Sequence, residues 1–371
     1  MKIAQIAPLT ESVPPRFYGG TERIVSYLAE ELVCLGHDVT LFASGDSVTS
    51  ARLVSCTRTA LRLDRNVRDP IPYYMLMLDR VRKCADEFDI LHFHIDQFHF
   101  PLFRPLASRT LTTLHGRQDL PDLQPLYVGF NEMPLVSISD GQRAPIPNAN
   151  VVATVYHGLP VDLHPPTFNP GGGYLAFLGR ISPEKGVDRA IKVAQTVGVP
   201  LKIAAKVDRA DETYFREQIA PLLDEPGVEF IGEINEQEKT DFLGQARALM
   251  FLIDWPEPFG LAMIEAMACG TPVLALRRGS VEEVVEEALT GRIVDSIQEA
   301  TIALPDVMAL DRRAVRRRFE ERFTAARMAS DYVRVYKSLL ARADMRLLFE
   351  QAEGVHTTAA ELANEPSDSV H

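Results

Sequence analysis

The run MFLIDWPEPFGLAMIEAMACGTPVLAL, residues 250–276, places the tightest limit on what this chain can become. It reads as a buried strand (Met250–Ile253), a tight loop, a helix, a Gly-Thr-Pro break and a second buried strand (Val273–Leu276). That pattern is a βαβ unit. Pro258 holds Glu257 out of the helical region, because the residue before a proline is pushed toward extended geometry. The helix then starts at Phe259, Gly260 and Leu261, whose backbone N–H groups are left without helical partners and point back at the loop. Glu265 falls about one and a half turns into that helix. Glu257 and Glu265 therefore bracket a helix N-terminus, which is a seat for a diphosphate. Carboxylates are poor phosphate ligands and good acceptors for sugar hydroxyls. The pattern suggests a nucleotide sugar, with phosphate on the amides, ribose on one glutamate and the transferred sugar on the other. Two glutamates eight apart, taken alone, also fit a βαβ unit whose carboxylates merely face solvent.

The chain of 371 residues is long enough for two domains with separate cores. Its net charge of −12 argues against non-specific nucleic-acid binding. Residues 1–158 hold 15 Lys+Arg against 17 Asp+Glu, so ten of the twelve excess negative charges lie beyond them. Cys34, Cys56, Cys84 and Cys269 are widely separated, which fits neither a disulfide framework nor a zinc site and suits a reducing cytosol. The opening MKIAQIAPLTE is too short an apolar run for a signal peptide, and no stretch approaches the roughly 20 residues of a membrane span. A cytoplasmic protein is expected, with contact at a membrane surface left open.

Strand and helix alternate along both halves. Strand Lys2–Ala7, a loop, helix Glu22–Leu35 and strand Val39–Ala43 open a Rossmann-like half, with Gly19 and Gly20 where the loop becomes the helix. The span Ala51–Asp69 carries Arg52, Arg58, Arg62, Arg65 and Arg68, and is expected to be a solvated helix face, with contact to an acidic acceptor or anionic lipid as the alternative. Strand Asp89–Ile95 places His92 and His94 on one face, and with His99 they form H-x-H-x4-H. Packing or hydrogen bonding is expected of these histidines, since no Cys or carboxylate cluster completes a metal set. Strand Thr110–Leu114 runs into His115, at a carboxyl end where α/β folds bind ligands. The turn His157–Asp162 with PPTFNPGGG after it marks the domain break.

The second half repeats the alternation from Tyr174–Leu178 through GRISPEKG, helix Val187–Val197, strand Leu201–Ala205, helix Glu212–Leu223, strand Val228–Ile231 and helix Glu236–Ala246. Gly171-Gly172-Gly173 precedes a strand instead of following one, so it is no dinucleotide fingerprint. Helix Asp311–Phe319 carries Arg312, Arg313, Arg316, Arg317 and Arg318, expected to face solvent. An amphipathic helix Thr324–Leu340 follows, and residues 341–371 look like a loose polar tail.

YGGTER, LHGR, HGLPVD, LGRISPEKG, EFIGEI and the E-x7-E stretch occur in this order, and together they resemble the retaining GT-B glycosyltransferases of family 4 over residues 1–340. The resemblance implies an α/β fold of two facing Rossmann-like domains: 1–158 on the acceptor side, 159–323 binding the nucleotide sugar, and helix 324–340 crossing back to the first. It implies that Arg180 and Lys185 clamp the diphosphate, Gly19 and Gly20 add backbone donors, Glu257 binds the transferred sugar, Glu265 binds ribose and His115 orients the sugar. It also implies that the base packs near Gly232, Glu233 and Ile234. The resemblance predicts a hexose transferred from a UDP- or GDP-linked donor to a saccharide, lipid-linked or small-molecule acceptor, without cofactor or metal. There is no D-x-D, and two cations can stand in for a metal. At the hinge this chain has His157-Gly158-Leu159 where the family commonly has N-G-[IV]-D, so no role is assigned to His157. A non-catalytic sugar-nucleotide-binding module and a sugar-nucleotide epimerase are the competing classes; donor base, sugar, acceptor and oligomeric state stay open.

Overall fold

A computed structural model describes residues 1–16 and 19–362, with side chains to residue 345. Two parallel sheets organise it, each built where short β-branched and aromatic runs alternate with helices. The first has the order β3-β2-β1-β4-β5-β6-β7, from β1 (Lys2–Ile6), β2 (Asp38–Ser44), β3 (Arg52–Thr57), β4 (Ile90–Phe93), β5 (Thr110–Thr113), β6 (Leu135–Ser137) and β7 (Val151–Thr154). The second has the order β10-β9-β8-β11-β12-β13, from β8 (Leu175–Arg180), β9 (Leu201–Lys206), β10 (Val228–Gly232), β11 (Ala248–Phe251), β12 (Val273–Leu276) and β13 (Gly291–Val294). In register, Ile3 lies between Val39 and Ile90, and Leu249 pairs with Val273. Both sheets reverse direction of growth at their middle, between β1 and β4 and between β8 and β11. An open α/β sheet forms its ligand crevice beyond the strand ends at such a point.

The principal helices are α1 (Gly20–Cys34), α2 (Ile71–Lys83), α3 (Val187–Val197), α4 (Glu236–Gly244), α5 (Leu261–Ala268), α6 (Ile297–Met308), α7 (Arg312–Arg322) and α8 (Ala325–Leu362). One face of the second sheet packs with Phe242, Ile264 and Phe319 from α4, α5 and α7; the other packs with Ile191 and Leu304 from α3 and α6. Helix α8 leaves this domain and lies on the first, where Met328, Ala329, Tyr332 and Tyr336 are fully buried among Ile3, Ile24, Leu28 and Ile90. Burial of each large side chain there contributes roughly 1.5–3 kcal/mol, so the first domain draws part of its core from the end of the chain.

Three expectations are corrected. Arg52–Thr57 within the arginine-rich span is the edge strand β3, not a helix face, because Leu53 and Val54 pair with Leu41 and Phe42 of β2. In α7, Arg312 and Arg316 are buried, not solvated. Four apart, they share the inner face, and their guanidinium groups donate to carbonyls of Thr167, Ala246 and Gly244, and of His164, Ala268 and Val161, respectively. The last helix does not stop at Leu340 with a loose tail after it; it continues to Leu362, as the Ala-, Leu-, Arg- and Glu-rich composition of ARADMRLLFEQAE favours. The rest of that tail (363–371) and Tyr18 of YGGTER lie outside the described residues.

Candidate active site

Two neighbouring loops of the second domain carry the central polar groups. The loop after β8 turns at Gly186, in a left-handed conformation (φ 73°), with its Cα facing Leu252 O; a Cβ there would stand 2.2 Å from that oxygen. Leu252 O also accepts from Arg189 Nε at 2.8 Å, and Asp254 N–H donates to Glu184 O at 2.7 Å, so this loop is tied to the one after β11. In the loop after β12, Gly279 (φ 54°) lies against the Glu257 backbone of the β11 loop so closely that a Cβ would be 2.3 Å from Glu257 O. Lys185 and Glu257 are thereby brought face to face: Lys185 Nζ donates to Glu257 Oε2 at 2.5 Å, and Trp255 Nε1 donates to the same oxygen at 2.6 Å. Both bonds fall on Oε2, so Oε1 keeps its lone pairs for a ligand hydroxyl. The Lys185 ammonium lies 4.9 Å from the centre of the Trp255 ring, a cation–π distance. Arg180, at the end of β8, is held by Glu184 at 2.7 Å, with Asp208 and Asp211 each at 3.7 Å.

Two helix N-termini meet above these groups. Helix α5 begins after Gly260, α1 begins after Gly19, and a Cβ on Gly20 would lie 3.4 Å from Leu261 Cδ1. The positive ends of both dipoles thus converge on one cavity of about 490 Å³. Its walls include Gly19, Gly20, His115, Arg180, Lys185, Ile234, Glu257, Phe259, Gly260, Leu261 and Glu265. Gly232 is the one sequence-nominated residue outside this wall; it ends β10, two residues before Ile234.

Glu265 is 4% exposed and accepts from Lys239 Nζ at 2.7 Å. Burial works to raise its carboxyl, but Lys239, His164 and Arg23 outweigh that and hold it below the usual range. Arg23 of α1 pairs with Glu236 of α4, and His164 Nε2 lies 3.1 Å from Glu236 Oε1, so this charge cluster spans the two domains. His164, Glu236 and Glu265 present ligand atoms within 4.8 Å of one another, as a metal would need. Lys239 and Arg23 already supply positive charge to both carboxylates. On the opposite flank Glu283 accepts from the backbone N–H groups of Asp140 and Gly141, each at 2.7 Å, and Ser139 Oγ donates to Pro258 O at 2.6 Å. The cleft is therefore bridged on both sides.

His115 is half-buried, and burial drops its imidazole to about 3. Its ring stacks on that of His157, with centres 5.4 Å apart and planes 18° apart. His92 and His99 point away from the cavity: His92 bonds Tyr336 and Thr113, and His99 bonds Thr112 and stacks on Phe93. Several cavity residues carried no signal of their own in the sequence. Glu11 and Glu22 line the first-domain side of the cavity, and burial raises both carboxyls despite Arg62 Nη1 at 2.8 Å from Glu11. Lys239 was hidden in a polar helix, and His157 shows its stacking role only in three dimensions.

Comparison with known proteins agrees with this architecture. Residues 18–155 match the family described as Glycosyltransferase Family 4, and residues 164–322 the family described as Glycosyl transferases group 1. The chain belongs to the GT-B glycosyltransferases of this group. It is 31% identical over 130 residues to the D-inositol 3-phosphate glycosyltransferase of Mycobacterium sp. (strain KMS), a match covering 34% of this chain and 30% of that relative. Its fold is similar to that of AviGT4, a glycosyltransferase involved in avilamycin A biosynthesis (TM-score 0.71, 24% identity, 92% of this chain and 98% of that one). It is also similar to Anabaena HepE, solved in complex with UDP and glucose (TM-score 0.70, 18% identity, 91% of this chain and 100% of that one).

Proposed function

We propose that the chain is a retaining hexosyltransferase that takes a sugar from a nucleotide diphosphate and passes it to a hydroxyl of a saccharide, lipid-linked or small-molecule acceptor. The observation that carries this reading is the convergence of two helix N-termini, Lys185 and Arg180 on one cavity that also presents Glu257 and Glu265. Fixed positive charge and backbone donors suit a leaving diphosphate, whose charge grows as the glycosidic bond breaks. Carboxylates and a neutral imidazole suit hydroxyls. In the reaction the bond from the anomeric carbon to the diphosphate oxygen breaks while the acceptor oxygen bonds that carbon from the same face. The departing phosphate oxygen takes the acceptor's proton. Glu265 would hold the ribose and Ile234 the base, while Glu257 and His115 would hold the hexose. Lys185 and Arg180 supply the charge that a metal would otherwise bring, so no metal is required. The complex of Anabaena HepE with UDP and glucose favours UDP as the first donor base to test.

A thermal-shift screen of UDP, GDP, ADP and dTDP with their glucose, mannose and GlcNAc forms, without added metal, tests the site, since a ligand of the folded state raises the melting temperature. One base standing clear of the others supports the reading, and NMR of the transferred sugar's anomeric configuration tests retention. No shift with any of them overturns it.

A further inference from the structure

Behind His115 runs a line of buried polar groups that are not part of the cavity wall. Gln5, in the middle of β1, is fully buried, and its Oε1 lies 2.7 Å from His94 Nε2. His94 Nδ1 in turn lies 2.9 Å from His115 Nε2. On its other side the Gln5 amide nitrogen donates to the Tyr336 phenol of α8 at 3.1 Å. Tyr336 OH stands 2.7 Å from His92 Nδ1, His92 Nε2 stands 2.8 Å from Thr113 Oγ1, and Thr113 Oγ1 stands 2.8 Å from Tyr332 OH. Two tyrosines of the crossing helix are thus linked, through five polar side chains, to the wall of the cleft.

With the Gln5 amide oxygen turned toward His94, these contacts leave one proton assignment. An amide oxygen accepts and does not donate, so His94 carries its proton on Nε2. Burial holds His94 well below the usual imidazole range and His115 at about 3, so each ring is neutral and has a single N–H. His94 Nδ1 is then a bare acceptor, and the proton it receives must sit on His115 Nε2. The remaining nitrogen of His115, Nδ1, bonds no described residue and belongs to a side chain on the cavity wall. The other side of the line is consistent with this: with the amide donating to Tyr336, the phenol donates to His92 Nδ1 and His92 Nε2–H donates to Thr113. Every member has a partner of the opposite kind.

We infer that Gln5 and His94 are positioning residues that fix His115 as its Nε2–H tautomer, so that Nδ1 accepts a hydrogen bond from a hydroxyl of the transferred hexose. The identity of that hydroxyl's owner rests on the transferase reading; the tautomer does not. The consequence is selective. A sugar carrying a hydroxyl at the facing carbon can donate to Nδ1, whereas a deoxy, O-methyl or carboxylate group there has no proton to give. A site built around a hydroxyl discriminates strongly against analogues that lack it.

The test is long-range 15N NMR of the protein labelled at histidine, at pH 7.5, with the His115 resonances assigned by their loss in His115→Gln. A protonated Nε2 and a bare Nδ1 are expected; a protonated Nδ1 overturns the proposal. Gln5→Met removes the accepting oxygen and is expected to release His115 to a tautomer mixture and to lower kcat/KM about tenfold. Gln5→Glu retains an acceptor and is expected to restore the single tautomer. An unchanged His115 spectrum in folded Gln5→Met overturns the proposal; if that variant does not fold, the wild-type spectrum decides. The expected spectrum with no sugar nucleotide turned over would uphold the tautomer and overturn the transferase reading instead.

Discussion

Lys185 Nζ and Glu257 Oε2 stand 2.5 Å apart although 72 residues separate them in sequence, because β8 and β11 are neighbours at the middle of the second sheet. The pair joins the cation proposed to hold the diphosphate with the carboxylate proposed to hold the hexose. Each therefore holds the other in place before a donor arrives, which limits the reorganisation left to the reaction step.

Lys185→Met is predicted to lower kcat by about 10²–10³-fold, the loss typical of one charge-stabilising donor in a transition state. Glu257→Gln should weaken transfer as well, because its remaining oxygen loses charge toward the sugar hydroxyls. Initial rates with saturating donor check both. A Lys185→Met enzyme within twofold of the parent would remove lysine from the leaving-group role.

Glu265→Gln keeps the shape of the side chain but removes the nearer of the two carboxylates beside Lys239, leaving Glu236 at 3.4 Å, in a nearly closed site (side chains of Lys239 and Glu265 13% and 5% exposed). We predict a loss of about 2 kcal/mol in urea unfolding, because Glu236 alone compensates the buried ammonium only in part. Weaker binding of the favoured nucleotide should accompany it, measured by calorimetry. Unchanged nucleotide affinity would exclude Glu265 as the ribose ligand.

Transfer is expected to continue in millimolar EDTA, since Lys185, Arg180 and two helix dipoles face the cavity proposed to seat the diphosphate. Abolished activity that returns on adding a divalent ion would defeat the metal-free mechanism and direct attention to His164, Glu236 and Glu265.

Acid should destabilise the protein earlier than its carboxylates alone would require. His92, His94, His99, His157 and His164 are at most 3% exposed, and burial lowers each below the free value of 6.5, His164 to about 4. A depressed histidine stays neutral in the fold while its unfolded counterpart takes up a proton, so the unfolded state binds more protons as pH falls. Stability is therefore intact above 6.5 and declines below it, by about 1.4 kcal/mol per pH unit for each such histidine. A melting temperature measured from pH 8 to pH 5 should be level at first and then fall steeply. A level profile throughout would mean that these rings are not held neutral.

Arg312→Met is predicted to cost about 3 kcal/mol, since it abandons buried carbonyls of Thr167, Ala246 and Gly244 and the Thr271 hydroxyl. Arg317→Ala, on the exposed side of the same helix, should stay within about 0.5 kcal/mol of the parent. Equal effects in chemical denaturation would restore the solvated-face reading of this helix.

The sequence was most legible where local chemistry dictates geometry. Pro258, Gly260 and the apolar helix after them led to the α5 N-terminus, and the strand Val273–Leu276 lies where the pattern puts it. The βαβ alternation carried both sheets for the same reason: period and punctuation are local. Where partners come from far away, the reading failed. Nothing near Arg312 or Arg316 announces the carbonyls, up to 155 residues distant, that draw them inward. Edge strand β3 looked like a charged helix face because Arg52 and Arg58 flank its short apolar stretch, and α2 was not anticipated at all. At the site, the glycines at helix starts and the Glu257–Glu265 pair could be nominated from spacing, whereas Arg180 and Lys185 were nominated by the family resemblance. Lys239, Glu11 and the stack of His157 on His115 depend on the packing of two domains, which no spacing encodes.

The dependence of the first domain's core on α8 has a consequence for how the chain acquires its shape during synthesis. Tyr332 and Tyr336, which close the pocket beside His92 and Thr113, are translated after the entire second domain. The half that leaves the ribosome first must wait for the last segment to reach it, while the half made later has its own hydrophobic interior by about residue 323. The order of emergence and the order of completion are thus inverted. A chain truncated before Met328 and released from the ribosome should present a finished C-terminal lobe beside an N-terminal one that chaperones still recognise as incomplete.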